Sequence, residues 1–240
     1  MKYESIDSKL FIKNRANFSR EIKKNSIAFF NSNDIYPVSA DSTLPFEQHR
    51  DIFYLSGIDQ EESILVLCPD NPNPDLREIL FLKETNDHIA VWEGPKINKT
   101  QALEISGIKT VFWLKDLEKL VDKLVSTCHN IYFNKNEHYR AKIETETREA
   151  RFNIWLEKKY PKKNKERSNP ILQRLRSIKD HKEISLIQQA CDITNKGFRR
   201  ILGFVKPGVW EYEIEAEFIH EFLINRSKKF AYTPIIASGA

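Results

Sequence analysis

Residues 41–57 read D-S-T-L-P-F-E-Q-H-R-D-I-F-Y-L-S-G, and this stretch does more than any other to define the fold. It follows the apolar run Ser26–Asn31 and a short loop at Tyr36 and Pro37. Its second half, residues 51–56, is rich in aromatic and β-branched side chains, which predicts a strand that stops at Gly57.

Other short apolar runs along the first two thirds of the chain predict further strands, at residues 26–31, 63–68, 78–83, 110–114 and 130–134. Helical spacing is expected between them, over residues 15–24, 99–106, 116–127 and 144–157. Because strands alternate with helices, the expected fold class is α/β, with a central mixed sheet and flanking helices. The Pro- and Asn-rich residues 69–74 predict a hairpin-type loop.

Residues 158–170, K-K-Y-P-K-K-N-K-E-R-S-N-P, are strongly basic and hold two prolines. A charged run with nothing to bury is typical of a solvated linker. We therefore place a domain boundary there, with a first domain over residues 1–165 and a second, incomplete one over residues 170–240.

The second domain is expected to begin with helices. Asp180 and Glu183 have the spacing of a capping box, which predicts a helix over residues 182–205 that Pro207 and Gly208 end. A second helix is expected over residues 211–225, and a strand over residues 230–240. The apolar faces of these two helices predict self-association or poor order beyond about residue 225.

Composition excludes several classes of protein. The 240 residues carry 38 Lys and Arg against 34 Asp and Glu, a net charge of only +4, so no nucleic-acid partner is expected. No apolar stretch reaches the roughly 20 residues that would span a membrane, and the first residues hold no apolar signal segment. The three cysteines show neither CxxC spacing nor a pairing framework, which predicts a reducing, cytoplasmic location.

No complete active site of a generic kind is present in the sequence. The seven glycines never fall two apart, which excludes a GxGxxG motif, and GxSxG is absent. Glu217 and His220 match only half of a di-iron motif and are interpreted as part of a solvated acidic face. Cys128 and His129 are adjacent and would point to opposite faces of a strand, so no catalytic Cys/His pair is expected and Cys128 is interpreted as a small buried residue.

The stretch 41–57 resembles the N-terminal domain of the Xaa-Pro aminopeptidases (aminopeptidase P), whose pattern is D-S-x-x-P-[FY]-x-Q-x-x-D. Three later segments resemble that family in the same order: A-V-W-E-G-P at 90–95, P-G-V-W-E-Y at 207–212, and the run from Phe230 to Gly239. The resemblance implies a creatinase-type N-terminal domain, followed by the first part of a pita-bread (α+β) catalytic domain.

The resemblance also implies an activity, which is hydrolysis of the bond between an N-terminal residue and a following proline. Peptides with proline in second position would be the substrates. Two Mn²⁺ ions would share the hydroxide that attacks the carbonyl, and carboxylate and imidazole ligands suit that metal. A homo-oligomer is expected, with neither nucleic acid nor membrane as partner.

The family's five metal ligands lie downstream of the segment that matches residues 230–239, so no catalytic or metal-binding residue is expected in this chain. We expect a truncated, inactive fragment. Three residues match substrate-binding positions of the family: Trp92, which would reach a neighbouring subunit's pocket, Asp41, at a subunit contact, and Tyr232, on the wall of the metal site. Each could instead have a local role, in packing or in a turn.

Two alternatives stay open. The first is prolidase, which cleaves only Xaa-Pro dipeptides. The second is a non-catalytic member of the same fold that acts as a binding or oligomerisation module.

Overall fold

The computed structural model describes residues 4–141 and 144–238, apart from the side chains of Asp87 and Ile89. The chain divides into two compact units. One comprises Ile6–Ile178, and the other comprises Lys179–Ala240 together with Met1–Ser5. Each unit is described by itself below.

The first unit is built on one mixed sheet. Its strands are β1 (Ser26–Asn31), β4 (Ile64–Leu67), β5 (Glu78–Leu82), β6 (Thr110–Trp113), β7 (Asn130–Phe133) and β8 (Asn164–Arg167), in the spatial order β6-β5-β4-β1-β7-β8. Strands β2 (Pro37–Ser39) and β3 (Ser42–Thr43) form a separate hairpin. The pairs β4/β1 and β4/β5 are antiparallel, whereas β1/β7, β7/β8 and β5/β6 are parallel. The predicted mixed sheet is confirmed.

The described residues of the first unit form seven α-helices: α1 (Ser8–Glu21), α2 (Arg50–Ser56), α3 (Asp87–Glu93), α4 (Lys99–Ser106), α5 (Leu117–Ser126), α6 (Arg148–Lys159) and α7 (Asn169–Ser177). Every residue of β1 is buried, because α1, α2, α4 and α7 contribute to the apolar core on one face and α5 and α6 to that on the other. Consecutive residues such as Ile27 and Ala28 therefore enter different cores.

The predicted strand at residues 51–56 is wrong, because these residues form helix α2. His49 begins the helix by accepting a hydrogen bond from the Asp51 N–H through Nδ1. Ile52 and Leu55 then lie one turn apart and are fully buried. Gly57 ends the helix at φ 71°, where a Cβ would lie 2.3 Å from the ring of Phe11. Glycine is required there by both the left-handed backbone and the space.

The interpretation of residues 158–170 as a linker is also wrong. Residues 164–167 form β8, which pairs in parallel with β7, and α7 follows at Asn169. The charged side chains of β8 remain partly or fully exposed because the strand lies at the edge of the sheet. The two compact units divide after Ile178, eight residues beyond the expected linker.

The second unit contains two packed helices, α8 (His181–Phe204) and α9 (Glu211–Ile224). The predicted capping box is present, since the Asp180 N–H donates to Glu183 Oε2 at 2.8 Å and the Asp180 side chain accepts from the Glu183 backbone N–H. At Gly197 a Cβ would lie 2.7 Å from the Phe218 ring, so the absence of a side chain allows α9 to approach. The expected strand is absent from the described residues 230–238, and residues 239–240 lie outside the described part.

Candidate functional site

Trp92 lies near the end of α3 and is 81% exposed. Val91 beside it is 77% exposed, so two apolar side chains project from this short helix. The next residue, Glu93, is held by Lys83 at 3.0 Å. That ion pair lowers the pKa of Glu93 and raises the pKa of Lys83. Trp92 is therefore exposed on the surface, and the ion pair between Glu93 and Lys83 restrains the helix that carries it.

A second set of contacts fixes the chain just after Trp92. The ammonium group of Lys96 forms an ion pair with Glu61, and the Ile97 N–H donates to the side-chain oxygen of Gln60 at 2.6 Å. The loop at residues 60–61 thus holds the segment that follows α3.

Asp41 lies in the two-residue turn of the β2–β3 hairpin and is exposed. Ala40 before it has φ 50°, and the Leu44 N–H donates to the Tyr36 carbonyl at 2.9 Å to close the hairpin. The side chains of Val38 and Leu44 are more than half exposed. Asp41 therefore resembles Trp92 in being exposed on the surface close to exposed apolar side chains.

Gln48 connects the stretch 41–57 to the segment that carries Trp92. Its buried amide donates to the carbonyls of Ile58 and Gln60 at 3.0 and 2.9 Å. Since the Gln60 side chain binds the Ile97 N–H, a continuous chain of hydrogen bonds runs from Gln48 through Gln60 to the residues after Trp92. Residues 41–57 therefore help to position the segment around Trp92, although Trp92 is not part of that stretch.

A buried polar cluster lies at the carboxyl ends of β1 and β7. The carboxylate of Asp51 accepts from Arg176 at 2.6 Å and from the Asn134 amide at 3.1 Å, which ties α2 to α7 and to the end of β7. Burial lowers the pKa of His49, which lies 3.8 Å from Asp51.

Glu149 on α6 is the buried acid of this cluster. Its two oxygens accept from the backbone N–H and the side-chain amide of Asn31, at 3.1 and 3.0 Å. Burial raises the pKa of this carboxyl to about 8. Sequence reasoning missed the cluster, although Asn31 and Asn134 stand at the carboxyl ends of two predicted strands, which is a common place for polar sites in α/β folds.

Tyr232 belongs to the second unit and is 80% exposed. Nearby in sequence, Trp210 and Tyr212 are stacked with their ring centroids 6.3 Å apart, and both are 66% exposed. The first unit holds Asp41 and Trp92 on separate elements, and the second unit holds Tyr232. The roles of these three residues in substrate binding remain predictions.

The described residues do not fit a divalent metal. They contain no group of three or more His, Cys, Asp and Glu side chains placed to hold one. Glu217, half of the ExxH motif, is ion-paired with Arg200, which also lies 3.8 Å from Glu221. This part of the expected acidic face is therefore neutralised within the unit.

Two of the three cysteines lie close together in the structure, which their spacing in the sequence did not indicate. Cys68 and Cys128 are 60 positions apart in sequence, yet their sulfur atoms lie 3.3 Å apart in the buried core. All three cysteines are free, but the sequence spacing did not reveal that Cys68 and Cys128 are neighbours, because the sheet brings the end of β4 and the beginning of β7 to the same end of β1.

Comparison with known proteins gives the family. The model of the aminopeptidase P N-terminal domain matches residues 11–132, and the model of metallopeptidase family M24 matches residues 185–240. The chain belongs to the aminopeptidase P family, with that N-terminal domain followed by the start of an M24 domain.

Individual relatives agree with this assignment. The chain is 28% identical to human Xaa-Pro aminopeptidase 3 over 211 residues, which cover 87% of this chain and 41% of that protein. It is 25% identical to the Escherichia coli Xaa-Pro aminopeptidase over 209 residues, covering 84% and 46%. A Bacillus anthracis structure assigned as an aminopeptidase P superposes with a TM-score of 0.82 at 26% identity, covering 90% of this chain and 51% of that one.

The chain thus spans less than half the length of these two curated relatives. Among the described residues, no helix is long and apolar enough to cross a membrane.

Proposed function

We propose that this chain is the N-terminal part of an Xaa-Pro aminopeptidase, a metallo-exopeptidase that removes the first residue from peptides with proline in second position. The observation that carries the proposal is the ordered pair of family matches, aminopeptidase P N-terminal domain at residues 11–132 and M24 at residues 185–240. Similarity to Xaa-Pro aminopeptidases over more than four fifths of the chain supports it.

Within that enzyme the metal centre would be built by residues outside the described chain. Two Mn²⁺ ions are proposed as its metal, because that ion suits the carboxylate and imidazole ligands of such a site. The 240 residues alone are proposed to be inactive.

This chain's own contribution would be to substrate binding. Trp92 is supported in that role by its exposure on a segment held by Glu93 and Ile97. Asp41 and Tyr232 are proposed as further substrate-side residues, and both are exposed. An exposed tryptophan beside an exposed valine would be covered in a homo-oligomer, which we propose as the working form. The free thiols of Cys68, Cys128 and Cys191 support a cytoplasmic location.

The test compares this chain with the product of the same gene extended through its next stop codon. Release of the first residue from an Xaa-Pro-Pro tripeptide is measured with and without added Mn²⁺, and bound metal is counted by ICP-MS. Activity with about two Mn²⁺ in the extended form alone is the expected result. An extended protein that binds no metal and releases nothing would overturn the proposal in favour of a binding or oligomerisation module.

The same preparation separates aminopeptidase from prolidase. An aminopeptidase P hydrolyses the tripeptide, whereas a prolidase hydrolyses only the Xaa-Pro dipeptide. Activity confined to dipeptides would replace the proposed function with prolidase.

A further inference from the structure

Two buried thiols meet at one end of the sheet. Cys68 follows the last residue of β4, and Cys128 precedes β7 by two residues. Both are free and only 2% exposed, and their sulfur atoms lie 3.3 Å apart. A disulfide requires about 2.05 Å between sulfur atoms, so a small movement of the two side chains is enough to form one.

The approach of the two cysteines does not depend on the sulfur atoms. The N–H of Asn25, the residue just before β1, donates to Asp70 Oδ2 at 2.7 Å, which anchors the segment after Cys68. The carbonyl of the same residue accepts from the His129 N–H at 2.7 Å, which anchors the segment after Cys128. Both cysteine-bearing segments are therefore tied to Asn25, the residue just before β1, one through the Asp70 carboxylate and the other through the His129 backbone.

The surroundings of the two thiols shift their pKa values in opposite directions. A hydrogen bond from Cys68, with help from Thr127 and from the ammonium group of Lys163, lowers the pKa of Cys128. The same contact with Cys128, together with burial, raises the pKa of Cys68. The Lys163 ammonium group also donates to the Cys128 carbonyl, which places a positive charge beside Cys128 and favours it as the nucleophile of the pair.

A metal site is a weaker interpretation of the same geometry. Zinc bound by thiolates normally takes four ligands. The described residues place no third His, Cys, Asp or Glu beside the two sulfur atoms in a group able to hold a metal. The pair is better suited to chemistry between the two sulfur atoms.

We propose that Cys68 and Cys128 form a reversible disulfide when the protein meets hydrogen peroxide. The Cys128 thiolate attacks one peroxide oxygen, the O–O bond breaks, and hydroxide leaves and takes up a proton as water; Cys128 becomes a sulfenic acid. The Cys68 sulfur then attacks the Cys128 sulfur, the S–S bond forms, the S–O bond breaks, and the Cys68 proton leaves in a second water. Two thiols are oxidised and one peroxide is reduced to two waters.

The disulfide would join β4 to β7 across β1, which lies between them in the sheet. It would link residues 60 positions apart and so reduce the conformational freedom of the unfolded chain. Oxidation is therefore expected to raise the thermal unfolding midpoint of the first unit by roughly 5–10 °C.

The experiment uses the Cys191→Ser variant, which removes the exposed third thiol. The reduced protein is treated with a few equivalents of hydrogen peroxide, and its intact mass, free thiols after denaturation and tryptic peptides are measured. The expected result is loss of the mass of two hydrogen atoms, loss of both thiols, and a peptide linking Cys68 to Cys128. Dithiothreitol should reverse all three changes.

Two single variants in the same background test the order of the steps. Cys68→Ser should stop at a sulfenic acid that dimedone captures, whereas Cys128→Ser should not react. If either variant fails to fold, the peptide map of the otherwise unaltered chain still decides whether the link forms.

Three results would overturn the proposal. The first is persistence of both thiols after peroxide has oxidised Cys191 in the unaltered chain. The second is oxidation of either cysteine to sulfinic acid without any disulfide. The third is stoichiometric binding of Zn²⁺ or Cd²⁺ that protects both thiols, which would establish a metal site instead.

Discussion

Glu149 is a buried acid of the first unit whose ionisation should make stability depend on pH. With a pKa raised to about 8 by burial, it binds a proton more tightly in the folded protein than in the unfolded chain, where a glutamate titrates near 4.3. Its contribution to stability is therefore fully present below about pH 4.3 and is lost as the pH rises to about 8.

We expect Glu149→Gln to remove this pH dependence. In the unaltered protein, the contribution of Glu149 to the free energy of unfolding should fall by about 1.4 kcal/mol per pH unit between about pH 4.3 and about pH 8. Urea unfolding at pH 5, 6, 7 and 8 measures the slope. Glu157→Gln, at a half-exposed position on the same helix, is the control and should keep it. Equal slopes in both variants would show that Glu149 is not the group responsible.

Trp92 allows function to be separated from stability. Because its side chain is 81% exposed, Trp92→Ala should change the free energy of unfolding by less than about 0.5 kcal/mol. In the extended protein the same change should lower kcat/KM for an Xaa-Pro-Pro peptide roughly 10- to 100-fold, if the ring packs on substrate.

Val91→Ala is the matched control for Trp92, since Val91 lies on the same helix and is 77% exposed. It should leave kcat/KM nearly unchanged. An equal loss in both variants would point to a general disturbance of α3 rather than to contact between Trp92 and substrate.

At the scale of elements, the contact between α8 and α9 depends on one position without a side chain. Gly197→Ala would place a methyl group against the Phe218 ring and should destabilise the helix pair by about 1–3 kcal/mol. Gly203→Ala, on the same helix with nothing within 4 Å of the added carbon, should be neutral or stabilise by about 0.5–1 kcal/mol. Hydrogen exchange of the α8 and α9 amides measures both. A Gly197→Ala variant as protected as Gly203→Ala would contradict this packing.

The elements also show where sequence reasoning succeeds. Strand β1 and helix α8 were predictable because each has one dominant signal, an apolar run in the first and a capped apolar stripe in the second. Helix α2 was not, because a seven-residue helix has too few turns to reveal its period, and its aromatic residues favour strands. Strand β8 was hidden because an edge strand can be wholly polar, so that only pairing with β7 reveals it.

The candidate site was predictable to a lesser degree. Trp92 and Asp41 could be chosen by resemblance, but their exposure and the hydrogen-bond chain through Gln48 and Gln60 depend on tertiary contacts. The same holds for Cys68 and Cys128, which the chain separates by 60 positions and the sheet brings together.

At the scale of the whole molecule, the two units differ in how much apolar surface they bury. The first unit has a core on each face of its sheet. Along α8 and α9 of the second unit, by contrast, the buried residues are Gly197 and Phe222. Large side chains on these helices are more than half exposed, among them Ile184, Phe198, Leu202, Leu223 and Ile224.

We expect this surface to cause self-association of the 240-residue chain. Analytical ultracentrifugation should show a mass that increases with concentration, and the paired change Leu202→Glu and Leu223→Glu should reduce it by placing charge on the apolar surface. A chain ending at Ile178 keeps both cores of the first unit. It should sediment as a smaller species at every concentration, unless the exposed Trp92 and Val91 are enough to cause association. A 240-residue chain that stays monomeric throughout would contradict the expectation.

The edge strand β8 has one more consequence, which concerns aggregation. A sheet edge presents unpaired N–H and C=O groups on which a strand of another molecule can add. Here that edge carries Lys165, Glu166 and Arg167 in succession, with no apolar side chain in the strand. Each of the three is ion-paired within the unit, with Glu157, Lys23 and Glu137 in turn, so a second copy docking edge to edge would have to remove water from these charged pairs. The charged side chains of β8 are therefore expected to disfavour edge-to-edge pairing of the sheet with a second copy.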